Sequence, residues 1–112
     1  LNMLYSPFRK MIQAGLPVAL ASDYNPGSSP SGNMKFIMSL GCINYKMLPE
    51  EVINATTLNS AYAMGVEEEA GSIAVGKLAN FYITTPISGI EYLPYAYTAD
   101  LIEAIFLKGE QY

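Results

Sequence analysis

The 112-residue chain contains no histidine. Imidazole is the usual ligand of catalytic zinc and iron, and the usual base of Ser/His triads. The sequence therefore cannot hold a complete site of either kind by itself. Cysteine is nearly absent too, Cys42 being the single one. One thiol builds no internal disulfide framework, and its solitary use fits a reducing, cytoplasmic compartment. Charged residues make up 14% of the chain, against roughly 25% in an ordinary globular domain. A piece so poor in charge suits burial on more than one side, in a larger protein or an oligomer. The formal net charge of -4 argues against nucleic acid as a partner, because phosphate selects basic patches. No apolar run reaches the ~18 residues that a membrane span needs. The opening "LNMLYSPFRK" shows no signal-peptide pattern and does not read as a natural chain start.

What is present is apolar. The chain is 51% hydrophobic, enough to close the core of a small domain rather than stay disordered. "LYSPFRKMIQAG" predicts a short helix, with Ser6 as cap, Pro7 at the first helical position and Gly15 as C-cap. Phe8, Met11 and Ile12 form its apolar face. "LPVALAS" is a continuous apolar run of strand length, which predicts a strand covered on both faces. Met34, Ile37, Met38 and Cys42 recur at spacings of three and four, which predicts a helix. "LPEEVINATTLNSAYAMG" predicts one long helix, with Val52, Ala55, Leu58 and Tyr62 on one face and Gly65 closing it. The connector "KMLPE" makes these two a helical pair.

The pattern then changes near Gly71. "GSIAVGKLANFYITT" predicts strand between glycine turns. "LIEAIFLKGEQY" predicts a strand, a Lys-Gly turn and a hairpin return. Between them "PISGIEYLPYAYTAD" reads as an ordered loop. The expected fold class is α/β, with an α/β part over residues 1–70 and a β part over residues 71–112.

The candidate chemistry sits in "SDYNPGSSP". Asp23 is the only acid before residue 50, and it stands where the expected strand ends. Ligands of parallel α/β folds bind at the carboxyl ends of strands. The competing reading is a turn cap, since Asp bonds nearby backbone and Asn-Pro starts turns. Gly27 lets a ligand approach its backbone. Ser28 and Ser29 offer hydroxyls and free N–H groups ahead of a helix, which suits a carboxylate. Asn25 offers a donor and an acceptor. Elsewhere, Cys42 reads as a buried structural thiol and "EEE" at 67–69 as a solvated run. Tyr92, Tyr95 and Tyr97 read as packing residues, and Thr56, Thr57 and Asn59 as structural.

On these residues the sequence resembles the imidazolonepropionases, within the metal-dependent amidohydrolase superfamily. The specific part is the strand-end Asp, an aromatic residue and "NPGSSP". "PEE" and the helix "TTLNSAYAMG" follow, and then "GSIAVGKLAN", where the superfamily usually has Asp instead of Asn80. The resemblance covers nearly the whole chain. It implies the C-terminal end of a (β/α)8 TIM-type barrel, with "PVALAS" as its eighth strand. Residues 71–112 would supply C-terminal strands of a small composite β-sandwich.

The resemblance also implies a hydrolase acting on cyclic amide C–N bonds, converting 4-imidazolone-5-propanoate to N-formimidoyl-L-glutamate in histidine degradation. Asp23 would be the catalytic residue, ligating one divalent metal, zinc or iron, and handling the protons of the attacking water. Asn25, Gly27 and Ser28 match positions that contact substrate or product. The remaining metal ligands lie outside this chain, so the fragment alone is expected to be inactive. The rest of the enzyme chain is an expected partner, and a homodimer is expected. Two alternatives compete: another cyclic amidohydrolase, dihydroorotase-like or deaminase-like, and a non-catalytic self-associating module.

Overall fold

The computed structural model describes residues 4–112, so the first three residues of the expected 1–70 part lie outside it. Eight elements follow in order: α1 (Phe8–Gln13), α2 (Met34–Ile43), α3 (Pro49–Thr56), α4 (Leu58–Ala63), β1 (Phe81–Thr84), α5 (Tyr92–Tyr95), β2 (Ile102–Leu107) and β3 (Glu110–Gln111). No helix among the described residues is long and apolar enough to cross a membrane.

Helix α1 starts one residue later than the sequence predicts. Pro7, at φ -79 and ψ 60, forms an inverse γ-turn in which the Phe8 N–H donates to the Ser6 carbonyl at 2.8 Å. Ser6 thus caps through its backbone and not through its hydroxyl. Gly15 closes α1 as expected, its N–H bonding the Ile12 carbonyl. A contact that the sequence did not announce ties α1 to α3. The Arg9 guanidinium grips both carboxylate oxygens of Glu51, at 2.9 and 2.7 Å. Glu51 also accepts the Leu48 N–H at 2.9 Å, so it satisfies a donor that the first turn of α3 leaves free. The Arg9 bond lowers the Glu51 pKa and raises that of Arg9, so both groups keep their charge.

The core lies between α2, α3 and the segment 17–22. Leu20, Ile37, Met38, Met47, Val52 and Ala55 are buried in it. The predicted strand over residues 17–22 forms no ladder, because no other strand of the described residues lies beside it. Its polar backbone turns to the helices instead. The Leu20 N–H donates to the Ala55 carbonyl at 3.0 Å. Asn59 Nδ2 donates to the Val18 carbonyl and Ser60 Oγ to that of Leu20. Burial alternates along the segment: Val18 and Leu20 are buried, whereas Pro17, Ala19 and Ala21 are exposed. The expected two-sided cover is one-sided in this chain.

The long helix predicted over 49–64 is broken at Thr57, which sits at φ -121 and ψ -88. Thr57 Oγ1 donates to the Ile53 carbonyl at 2.6 Å, and Thr56 Oγ1 to the Val52 carbonyl at 3.0 Å. Such hydroxyls compete for the carbonyls of the preceding turn and bend the helix. The break rotates the face. Val52, Ala55 and Ala61 are buried, while Leu58 and Tyr62, placed on the same face from their spacing, are exposed.

The strands β1, β2 and β3 form one antiparallel sheet in that order. Phe81 pairs with Phe106, their rings stacked at 4.9 Å, and a bulge falls between Ile83 and Thr84. The predicted Lys-Gly hairpin is present. Lys108 and Gly109 both have positive φ, 52° and 81°, as a tight two-residue turn requires. Asn80 holds this turn, its Oδ1 accepting the Lys108 N–H at 2.8 Å. An Asp at that position would accept equally well. Residues 71–78 make turns instead of the predicted strand, and the expected loop 86–100 contains the helical turn α5. Helix α5 packs on α2, and Lys35 Nζ donates to the Ala99 carbonyl at 3.1 Å.

Candidate functional site

The segment 17–22 delivers Asp23 at the rim of a groove of about 430 Å³. Ala19, Ala21, Ser28, Ser29, Phe36 and Tyr45 are among the residues that line it. Asp23 is exposed, and its carboxylate has no hydrogen-bond partner among the described residues. Its backbone lies in the left-handed region at φ 47. For a residue with a Cβ that conformation costs about 1 kcal/mol, and such strain gathers at functional sites.

The loop after Asp23 folds around Asn25. Asn25 Oδ1 accepts the Gly27 N–H at 3.0 Å, the Ser28 N–H at 2.8 Å and the Ser28 hydroxyl at 3.2 Å. Its Nδ2 donates to the Asp23 carbonyl at 2.7 Å. Asn25 and Ser29 also pair through their backbones, at 2.8 and 3.3 Å. Ser29 Oγ then donates to the Ser22 carbonyl at 2.6 Å and ties the far arm back to the start.

These bonds correct one expectation. The N–H groups of Ser28 and Ser29 are not free for an anion, because Asn25 takes both, the first on its Oδ1 and the second on its backbone carbonyl. Nor do the serines lead directly into a helix. Helix α2 begins at Met34, and Asn33 caps it by accepting the Lys35 and Phe36 N–H groups. The loop still presents the Ser28 hydroxyl oxygen, one unused Asn25 amide hydrogen and the bare Gly27 backbone. A Cβ on Gly27 would meet only Asn25 Oδ1, at 3.4 Å. The loop by itself therefore has room for a small side chain there.

The other candidates take structural places. Cys42 is half-buried beside the core; burial pushes its thiol up, and the charges of Glu50 and Glu51 add to this, so it stays protonated and a poor nucleophile. Tyr97 packs on Phe36 at 5.4 Å, whereas Tyr95, read from the sequence as a packing residue, is exposed, its ring 6.1 Å from that of Tyr92. Of the acidic run, Glu68 and Glu69 are exposed, but Glu67 is half-buried with Oε2 enclosed and unpartnered among the described residues. No three His, Cys, Asp or Glu side chains among the described residues gather closely enough to share a metal ion. Asp23 can offer one oxygen donor of the kind that zinc and iron accept. No sequence motif marks the Ser29–Ser22 tether, whose ends lie seven positions apart.

The family model described as "Amidohydrolase family" matches residues 5–109. An imidazolonepropionase of Flavobacterium johnsoniae is 56% identical over 110 residues, covering 98% of this chain and 27% of that protein. An imidazolonepropionase of Streptococcus pyogenes is 44% identical over 106 residues, covering 95% of this chain and 25% of that protein. The chain thus spans about a quarter of the length of the curated relatives it matches. A crystal structure of an amidohydrolase from Thermotoga maritima superposes with a TM-score of 0.71 at 21% identity, over 93% of this chain and 24% of that one. At that identity the likeness speaks for the fold alone.

Proposed function

This chain belongs to the amidohydrolase family, and from that membership we propose that it forms the closing quarter of an imidazolonepropionase. The complete protein hydrolyses 4-imidazolone-5-propanoate to N-formimidoyl-L-glutamate, a step of histidine degradation. The names of the relatives support this reading. The observation that carries it is Asp23, held in a left-handed conformation at the groove with its carboxylate free.

In this reading residues 1–70 are the last strand and helices of a (β/α)8 barrel. The bare side of residues 17–22, with its small Ala19 and Ala21, faces the barrel interior, where side chains meet in layers. Residues 71–112 contribute strands to a composite β-sandwich, whose other strands cover the exposed Ile73, Val75, Tyr82 and Ile83. The protein is cytoplasmic and homodimeric, and it acts on a small molecule without nucleic acid or membrane.

Asp23 would supply one ligand to a divalent metal, zinc or iron, and residues outside this chain would supply the others. When bound, such a metal polarises a carbonyl and lowers the pKa of water toward about 7. Asp23 orients the attacking water and accepts its proton. The water oxygen bonds to the ring carbonyl carbon, the adjacent C–N bond breaks, and Asp23 passes the proton to the departing nitrogen. The Ser28 hydroxyl, the spare Asn25 amide hydrogen and the open Gly27 backbone contact the propionate or formimidoyl group. Phe36 and Tyr45 wall the groove; burial raises the Tyr45 pKa, so it stays a neutral phenol.

Steady-state assays of the full-length protein test the reading. Turnover of 4-imidazolone-5-propanoate is expected, with none of dihydroorotate and none by the 112-residue chain alone. Turnover by the isolated chain, or preference for dihydroorotate, would overturn it.

A further inference from the structure

Two carbonyls flank Asp23 in the chain, those of Ser22 and of Asp23 itself. Both are held by side chains of the following loop: Ser29 Oγ donates to the first at 2.6 Å and Asn25 Nδ2 to the second at 2.7 Å. The two peptide planes that define the Asp23 backbone angles are thereby fixed from outside. This explains how a residue with a Cβ stays at φ 47 without glycine. Ser29 is half-buried, whereas the Asp23 carboxylate is left free. Two polar side chains of the loop, those of Asn25 and Ser29, thus hold the backbone about Asp23, and neither bonds its carboxylate.

We propose that Ser29 is a positioning residue for Asp23, fixing through the Ser22 carbonyl the direction in which the Asp23 carboxylate enters the groove. The proposal rests on the catalytic reading of Asp23 given above. Ser29 lines the same groove, but its hydroxyl hydrogen is committed to Ser22, so its part is to aim the carboxylate and not to bind substrate. A small misdirection of a reacting group costs rate far more than affinity.

The test is steady-state kinetics of the full-length protein with 4-imidazolone-5-propanoate, comparing wild type, Ser29→Ala and Ser29→Thr. Ser29→Ala is expected to lower kcat by about 10- to 100-fold, the usual cost of losing a supporting partner. KM stays within about twofold, and the thermal midpoint and metal content stay at wild-type values. Ser29→Thr keeps the hydroxyl and recovers most of kcat. An unchanged kcat in Ser29→Ala, a loss confined to KM, or a loss that Thr does not recover overturns the inference, as does a Ser29→Ala protein that no longer folds. If wild type itself does not turn over this substrate, the catalytic reading falls and takes the inference with it. Wild-type turnover with an unaffected Ser29→Ala overturns the inference alone.

Discussion

Asp23→Asn in the full-length protein is expected to lower kcat by about 10³-fold or more while leaving the fold intact. A positioned proton acceptor accounts for about 10²- to 10⁴-fold in rate, and an amide cannot take the proton. The substitution discriminates well because it is nearly isosteric and spares the backbone. Asn tolerates a left-handed φ at least as well as Asp, and the loop bonds from Asn25 and Ser29 reach only backbone carbonyls beside it. If Asp23 served only as a turn residue, Asp23→Asn would be neutral or slightly stabilising. Steady-state rates together with the thermal midpoint separate the two roles. Near-normal turnover would contradict the catalytic one.

Gly71→Ala is expected to destabilise the protein by about 2–4 kcal/mol. Two independent costs meet there. Gly71 lies at φ +87, which costs a residue with a Cβ about 1 kcal/mol or more. A Cβ built on it would also stand 2.6 Å from Ala61 Cβ and 3.1 Å from both Leu58 Cα and the Thr57 carbonyl oxygen. Two of those three atoms are backbone at the α3–α4 break, so they cannot swing aside, and overpacking of this kind costs about 1–3 kcal/mol. Gly76 provides the control. It has a similar φ of +91 but nothing within 4 Å, so Gly76→Ala should show the backbone cost alone. Chemical denaturation of the two variants checks the difference, and equal losses would refute the crowding at Gly71.

The same neighbourhood shows what could be read from the sequence and what could not. The helix spacings of α2 and the closing glycines Gly15 and Gly65 followed from local chemistry and were legible. So was the Lys108–Gly109 turn. The break at Thr57 was not, because apolar spacing continues across it and only the hydroxyl bonds to Val52 and Ile53 reveal it. The segment 17–22 misled in another way. Its unbroken apolar run implies cover on both faces, but the described residues cover only Val18 and Leu20. At the candidate site, the placement of Asp23 after an apolar run was readable, and so was a turn at Asn-Pro. That Asn25 would consume the Gly27 and Ser28 N–H groups depends on side-chain geometry that residue types do not specify. The Arg9–Glu51 pair spans 42 positions and leaves no local trace.

The central claim is that Asp23 brings this chain's share of the chemistry to a site completed by residues outside it. A crystal structure of the full-length protein with its metal bound tests that claim most directly. The account predicts a carboxylate oxygen of Asp23 in the coordination sphere of the metal, with the loop 22–29 closed on itself through Asn25 and Ser29. A metal bound elsewhere, with Asp23 turned to solvent, would contradict it.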